Sequence, residues 1–326
     1  MSKDTTEPLS TPTSFCFIDF DQEIFFTKGP VLDVFHSIIQ HIFKQDIYLD
    51  AFLPAVIRDD QEVGTLSTDD LLAYRNFIRH QGVVRVNART FTPKTKFGST
   101  CDNGNGTLVI YINRDLLRAV AQLECDARAA PILGAVLATV MHEYAHYLRV
   151  KKGLSYTPPT RVVSKFYSQT SLGTEGTRII GESGYVVETA IFGGVFTMLI
   201  PPEVEQDYAH VSASCIETSA LWTEEQYLAN NGPPLVAYTI ENERLWLLLL
   251  QMAGQQLEDN VLKLPLISKT NPIDKTKYQN YWRWRWSCDS EANEVKSLYI
   301  DGVEYPLASM VILRRDPCDR SAHYRS

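Results

Sequence analysis

Between Pro131 and Val150 the chain reads PILGAVLATVMHEYAHYLRV, and its only fully charged residues are Glu143 and Arg149. A run this long and apolar, opened by a proline that suits a first helical turn, predicts one long helix. Arg149, Lys151 and Lys152 stand where positive charge complements a helix C-terminus, and Gly153 can close it. A helix so apolar has to be buried, and a glutamate buried with it needs a partner or a task.

The same run contains His142-Glu143-Tyr144-Ala145-His146. Residues four apart share a helix face, so the two imidazoles can point the same way. Neutral imidazoles at that spacing can hold one zinc ion at about 2.0–2.1 Å. Glu143 is rotated about 100° from His142. It therefore flanks such an ion rather than binding it, and can take a proton from water activated there. Two ligands and a base are what metal-assisted hydrolysis requires. The rival reading is a core helix with two hydrogen-bonded histidines.

The totals leave room for this. The 326 residues suffice for one large domain or two modest ones, and with 44% hydrophobic and 21% charged residues the chain needs no disulfide or metal merely to fold. A net charge of −8 disfavours general nucleic-acid binding. YWRWRWS (residues 281–287) alternates aromatic and arginine, and reads as a half-buried strand rather than a base-stacking platform. The N-terminus lacks a basic region followed by an apolar run, so no signal peptide is visible. No stretch approaches the roughly 20 apolar residues of a membrane span. The six cysteines are scattered without a C-x-x-C pair, as in free thiols of a cytoplasmic protein, although a secreted chain that has lost its leader would look the same.

Along the chain, residues 1–13 read as a flexible tail and 14–326 as one domain, with an N-terminal sub-domain to about residue 153 and a C-terminal sub-domain after it. VLDVFHSIIQHIFKQ spaces its apolar residues helically. STDDLLAYRNFIRHQG is a helix capped by Ser67 or Thr68 and stopped by Gly82. VVRVNARTF and TLVIYI are strands, CDNGNG a turn, and RDLLRAVAQLE a helix. RIIGESGYVVETAIFGG and ENERLWLLLLQMAGQQLED are further helices, and SLYIDGVEYPL is a hairpin around Asp-Gly. The class is α+β, with a small mixed sheet and a mostly helical C-terminal part.

HEYAH on a long helix, preceded by a strand such as TLVIYI, resembles the zincin superfamily of zinc metallopeptidases over roughly residues 100–195. The resemblance implies a zincin-like fold, one Zn²⁺, and an edge strand beside a central active-site helix. It implies that GTLVIYINRDLL fills the edge position and that an extended peptide pairs with it. His142 and His146 would be zinc ligands and Glu143 the catalytic base.

A third ligand is then needed. The continuation H-x-x-G-x-x-H is absent after His146, so a glutamate, as in the gluzincin branch, is expected. Glu182 in GES is similar to the Gly-Glu or Asn-Glu pair that carries the ligand in several gluzincins, and is favoured. The acidic residue often found four positions later is replaced here by Val186. Glu188 is the alternative, with Gly184 permitting close helix approach, or else supports a histidine ligand. Six residues apart on a helix, the two carboxylates diverge by about 120° and do not share one ion. Tyr185, Arg178, His210 and Tyr208 qualify by type alone as oxyanion stabilisers.

The expected activity is zinc-dependent peptide-bond hydrolysis, on a peptide or small peptide-like substrate, without nucleic acid or membrane. The alternatives are a biosynthetic or tailoring metalloenzyme acting on a small or modified peptide, and a catalytically silent zincin-fold binding protein.

Overall fold

The computed structural model describes residues 11–18, 29–58, 61–91, 97–103, 105–154, 165–167, 179–181, 183–200, 213–218, 236–255, 263–267, 282–284, 297–300 and 303–306. The architecture is mixed α and β, as the alternation of periods implies. One four-stranded sheet runs in the order β1 (Ser14–Ile18), β2 (Val83–Arg89), β4 (Leu108–Asn113), β3 (Gly98–Asp102). β1, β2 and β4 are parallel, and β3 is antiparallel to β4 with Thr100 opposite Ile110.

Helix α1 (Pro30–Ile42) buries Val31, Leu32, Phe35, Ile38, Ile39 and Ile42, one stripe at helical spacing. α2 (Asp46–Val56) follows after a short turn. α3 (Thr68–Arg79) starts at a complete capping box. The Ser67 hydroxyl accepts from Asp70 N at 3.1 Å, and the Asp70 carboxylate accepts from Ser67 N at 3.3 Å. Of the two residues expected to cap this helix, Ser67 does so. α4 (Arg114–Gln122) leaves β4 through Asn113, whose side chain accepts from Asp115 N.

The long helix α5 (Ala130–Lys151) is buried along nearly its full length, with Pro131 in its first turn and Gly153 beyond its end at φ +74°. β3 and β4 cover one side of it, and α2 and α6 (Ser183–Phe192) cover others. α6 leads into β7 (Val195–Ile200), in an antiparallel sheet ordered β10 (Trp282–Trp284), β7, β8 (Ala213–Thr218), β9 (Val236–Ile240). β7 crosses α5 at Gly134, where an added Cβ would stand 2.7 Å from Phe196 Cζ. α7 (Asn242–Met252) packs on α5 and α1. β5 (Lys165–Tyr167) pairs with β6 (Ile179–Gly181), and β11 (Ser297–Ile300) with β12 (Val303–Pro306).

Several expectations are corrected. TLVIYI is not the edge strand: β4 lies between β2 and β3, and the edge belongs to GSTCD. RIIGESGYVVETAIFGG is not one helix, because Ile179–Gly181 is a strand and α6 opens only at Ser183. The described C-terminal residues are not mostly helical; after α5 they hold two helices and eight strands. The end of the expected tail is also fixed: Thr13 N donates to Arg79 O at 2.8 Å and Gly82 N to Thr11 O at 3.1 Å. Residues 1–10 lie outside the described residues.

Candidate metal centre

Helix α5 brings His142 and His146 onto one face, where both are buried at 6% and 3% exposure. Their Nε2 atoms stand 3.3 Å apart. The outer ring nitrogens are held from α6. His142 Nδ1 lies 2.8 Å from Glu188 Oε1, and His146 Nδ1 lies 3.1 Å from Ser183 Oγ. Glu188 is fully buried, and its other oxygen accepts from Phe196 N at 3.0 Å. One carboxylate thus ties the first residues of β7 to the His142 ring.

These contacts constrain the tautomers. A carboxylate only accepts, so His142 donates from Nδ1 to Glu188, and when that ring is neutral its Nε2 lone pair faces His146. If His146 likewise donates from Nδ1 to Ser183, two lone pairs face each other, and a cation between them relieves the repulsion. If Ser183 donates instead, a proton on His146 Nε2 fills the gap as a hydrogen bond. Two nitrogens bound tetrahedrally at about 2.0–2.1 Å to one ion lie about 3.3–3.4 Å apart, which the observed separation fits. The donor set suits zinc, for which buried neutral imidazoles are common ligands.

Close backbone approach makes this arrangement possible. A Cβ on Gly184 would collide with the His142 ring, so only glycine lets α6 lie that near. The Tyr185 ring meets His142 edge-on, with centroids 4.8 Å apart. On β3, Gly98 sits where a Cβ would be 2.7 Å from Thr139 Cγ2 and 3.0 Å from Glu143 Cγ.

Glu143 is 5% exposed. Thr100 Oγ1 lies 2.8 Å from its Oε2 and 2.9 Å from its backbone oxygen. The partner that a buried glutamate demands is therefore a hydroxyl on the edge strand. The tyrosine between the two histidines has no part in the site. Tyr144 is fully buried, donates to Ile78 O at 2.7 Å, and has its hydroxyl pushed up by desolvation.

The structure brings His142, Glu143, His146, Glu188 and Tyr185 together. Glu182, Arg178, His210 and Tyr208 lie outside the described residues. Among the described residues no group of three or more His, Cys, Asp or Glu side chains is arranged to hold a metal ion. Thr100, Gly98 and Ser183 were not foreseen from sequence. GSTCD lacks the alternation that marks a strand, and a serine flanked by Glu and Gly gives no sign of meeting a histidine far behind it. No family model matches the chain, and no curated protein or solved structure is significantly similar to it.

Proposed function

We propose that the protein is a zinc-dependent metallopeptidase of zincin-like fold. The observation that carries this is the convergence of two histidine Nε2 atoms at 3.3 Å, with both outer nitrogens already held and a glutamate adjacent. An antiparallel edge strand beside the helix that bears the motif supports the fold reading.

His142 and His146 hold the ion, and Glu182 is the third ligand. Glu188 is assigned to orienting His142, since its oxygens face His142 Nδ1 and Phe196 N. Zinc bound there supplies a Lewis acid that polarises a carbonyl and lowers the pKa of water towards about 7. Glu143 takes a proton from the attacking water as oxygen bonds to the scissile carbonyl carbon. It returns that proton to the amine nitrogen as the C–N bond breaks. Burial of Glu143 keeps bulk water from solvating the carboxylate, so its proton transfer is directed at what enters the site.

Glu143→Gln tests the reading. Zinc content should stay at the wild-type level, while cleavage of a quenched-fluorescent peptide library falls by at least about 100-fold. Full cleavage by that variant contradicts the reading. Burial of His142 and Glu143 favours one second reading, a tailoring enzyme for a small or modified peptide. Zinc-loaded wild type that cleaves no library peptide would select it.

A further inference from the structure

Thr100 and Gly98 lie two residues apart on one face of β3, and both approach Glu143. The H-E-x-x-H pattern specifies neither. Gly98 removes the side chain that would hold the strand away from α5, and Thr100 uses the proximity for a hydrogen bond to Oε2. Among the described residues no other hydrogen bond holds the Glu143 carboxylate.

We infer that Thr100 is the positioning residue for the Glu143 carboxylate, so that edge strand β3 sets the direction in which the base presents Oε1. This rests on the reading of Glu143 as general base. The terminal torsion of a glutamate is broad and roughly two-fold, so packing alone does not fix the carboxylate plane. The Thr100 hydroxyl fixes it by donating to Oε2. The water proton then arrives at Oε1 and leaves from Oε1 to the amine nitrogen, while Oε2 keeps its bond to Thr100 throughout. Because the hydroxyl belongs to a strand at the sheet edge, a substrate that shifts β3 also shifts the base. Thr100 contacts no reacting atom and acts through Glu143.

The competing possibility is a structural bond from Thr100 to the Glu143 backbone oxygen, 2.9 Å away. Four variants of the 326-residue chain separate the two: Thr100→Val, which keeps the shape, Thr100→Ser, which keeps the hydroxyl, Glu143→Gln, and the double variant Thr100→Val with Glu143→Gln. The probe is the best-cleaved peptide of the quenched-fluorescent library. Zinc content and unfolding midpoint report on the site and the fold. Thr100→Val should lower kcat by about 10- to 100-fold, with KM changed by less than about twofold and zinc content unchanged. Thr100→Ser should recover kcat to within about threefold of wild type. In metal-free protein the midpoint shifts of Thr100→Val and Glu143→Gln should be non-additive in the double variant, a readout independent of turnover.

Wild-type kcat in Thr100→Val, or failure of Thr100→Ser to recover what Thr100→Val loses, or additive midpoint shifts, overturns the inference. Full activity of Thr100→Val beside an inactive Glu143→Gln overturns it alone. Full activity of Glu143→Gln removes the base and overturns it together with the functional reading.

Discussion

Two side chains on one helix, Glu188 and Ser183, decide what the His142 and His146 rings can do. Each occupies an Nδ1, and each therefore influences which tautomer its ring adopts. A buried carboxylate raises the basicity of the ring it faces more than a hydroxyl does, so the two contacts should differ in weight. Glu188→Ala is expected to weaken zinc binding by about 10- to 100-fold, and Ser183→Ala by less, in competition with a chromophoric chelator. Equal affinities for wild type and Glu188→Ala would remove the orienting role. Gly184 is the third determinant at this scale. Gly184→Ala would force the His142 ring away from its position, and zinc retention after gel filtration should drop while the far-ultraviolet circular dichroism is kept.

At the scale of elements, what was legible followed from strong local signals. The apolar stripe of α1, the Ser67 cap of α3, the strand VVRVNAR and the proline-opened α5 all appear where their patterns place them. β3 was not legible, because Gly98, Ser99 and Asp102 have low strand propensity. Its strand character comes from pairing with β4 and from packing against α5, which is tertiary information. The start of α6 departs from its sequence pattern for a related reason. Ile179 and Ile180 fit a helix as well as a strand, and their pairing with Tyr167 and Phe166 selects the strand. So the motif-bearing helix, its two histidines and the Glu188 and Gly184 of α6 could be read from sequence, whereas Thr100 and Gly98 on β3 and Ser183 on α6 could not. The capping box on α3 lies away from the site and offers a control. Ser67→Ala should lower unfolding free energy by about 1 kcal/mol in urea titration, with zinc affinity unchanged.

On the scale of the whole molecule, one continuous apolar core extends from β1 and α1 through α5 to α7, so events at the site and global unfolding are linked. An ion that binds only the folded chain should stabilise it by about 2.7 kcal/mol at a free concentration 100 times its Kd. Chelation should therefore lower the unfolding midpoint of wild type and leave that of His142→Ala unmoved. Acid should also destabilise the fold. Burial holds His36 below its ordinary value of 6.5 despite Asp33, and burial together with Lys44 does the same for His41. Both groups stay neutral longer in the folded chain than in the unfolded one. Their contribution is complete above pH 6.5 and is lost as pH falls through the lowered folded values. Metal-free protein should thus unfold at lower urea at about pH 5.5 than at about pH 7.5, and His36→Gln should reduce the difference. Among the described residues no helix is long and apolar enough to cross a membrane.

Zinc held between the paired Nε2 atoms is what the chemistry of this site depends on. Inductively coupled plasma mass spectrometry on protein purified without chelators tests it, with wild type, His146→Ala, Glu182→Ala and Glu188→Ala measured side by side. Close to one zinc per wild-type chain is expected, with zinc lost from His146→Ala and Glu182→Ala, and reduced but not abolished in Glu188→Ala. Wild-type protein without zinc, or full zinc in His146→Ala, would contradict it and leave two histidines joined by a proton on a buried helix.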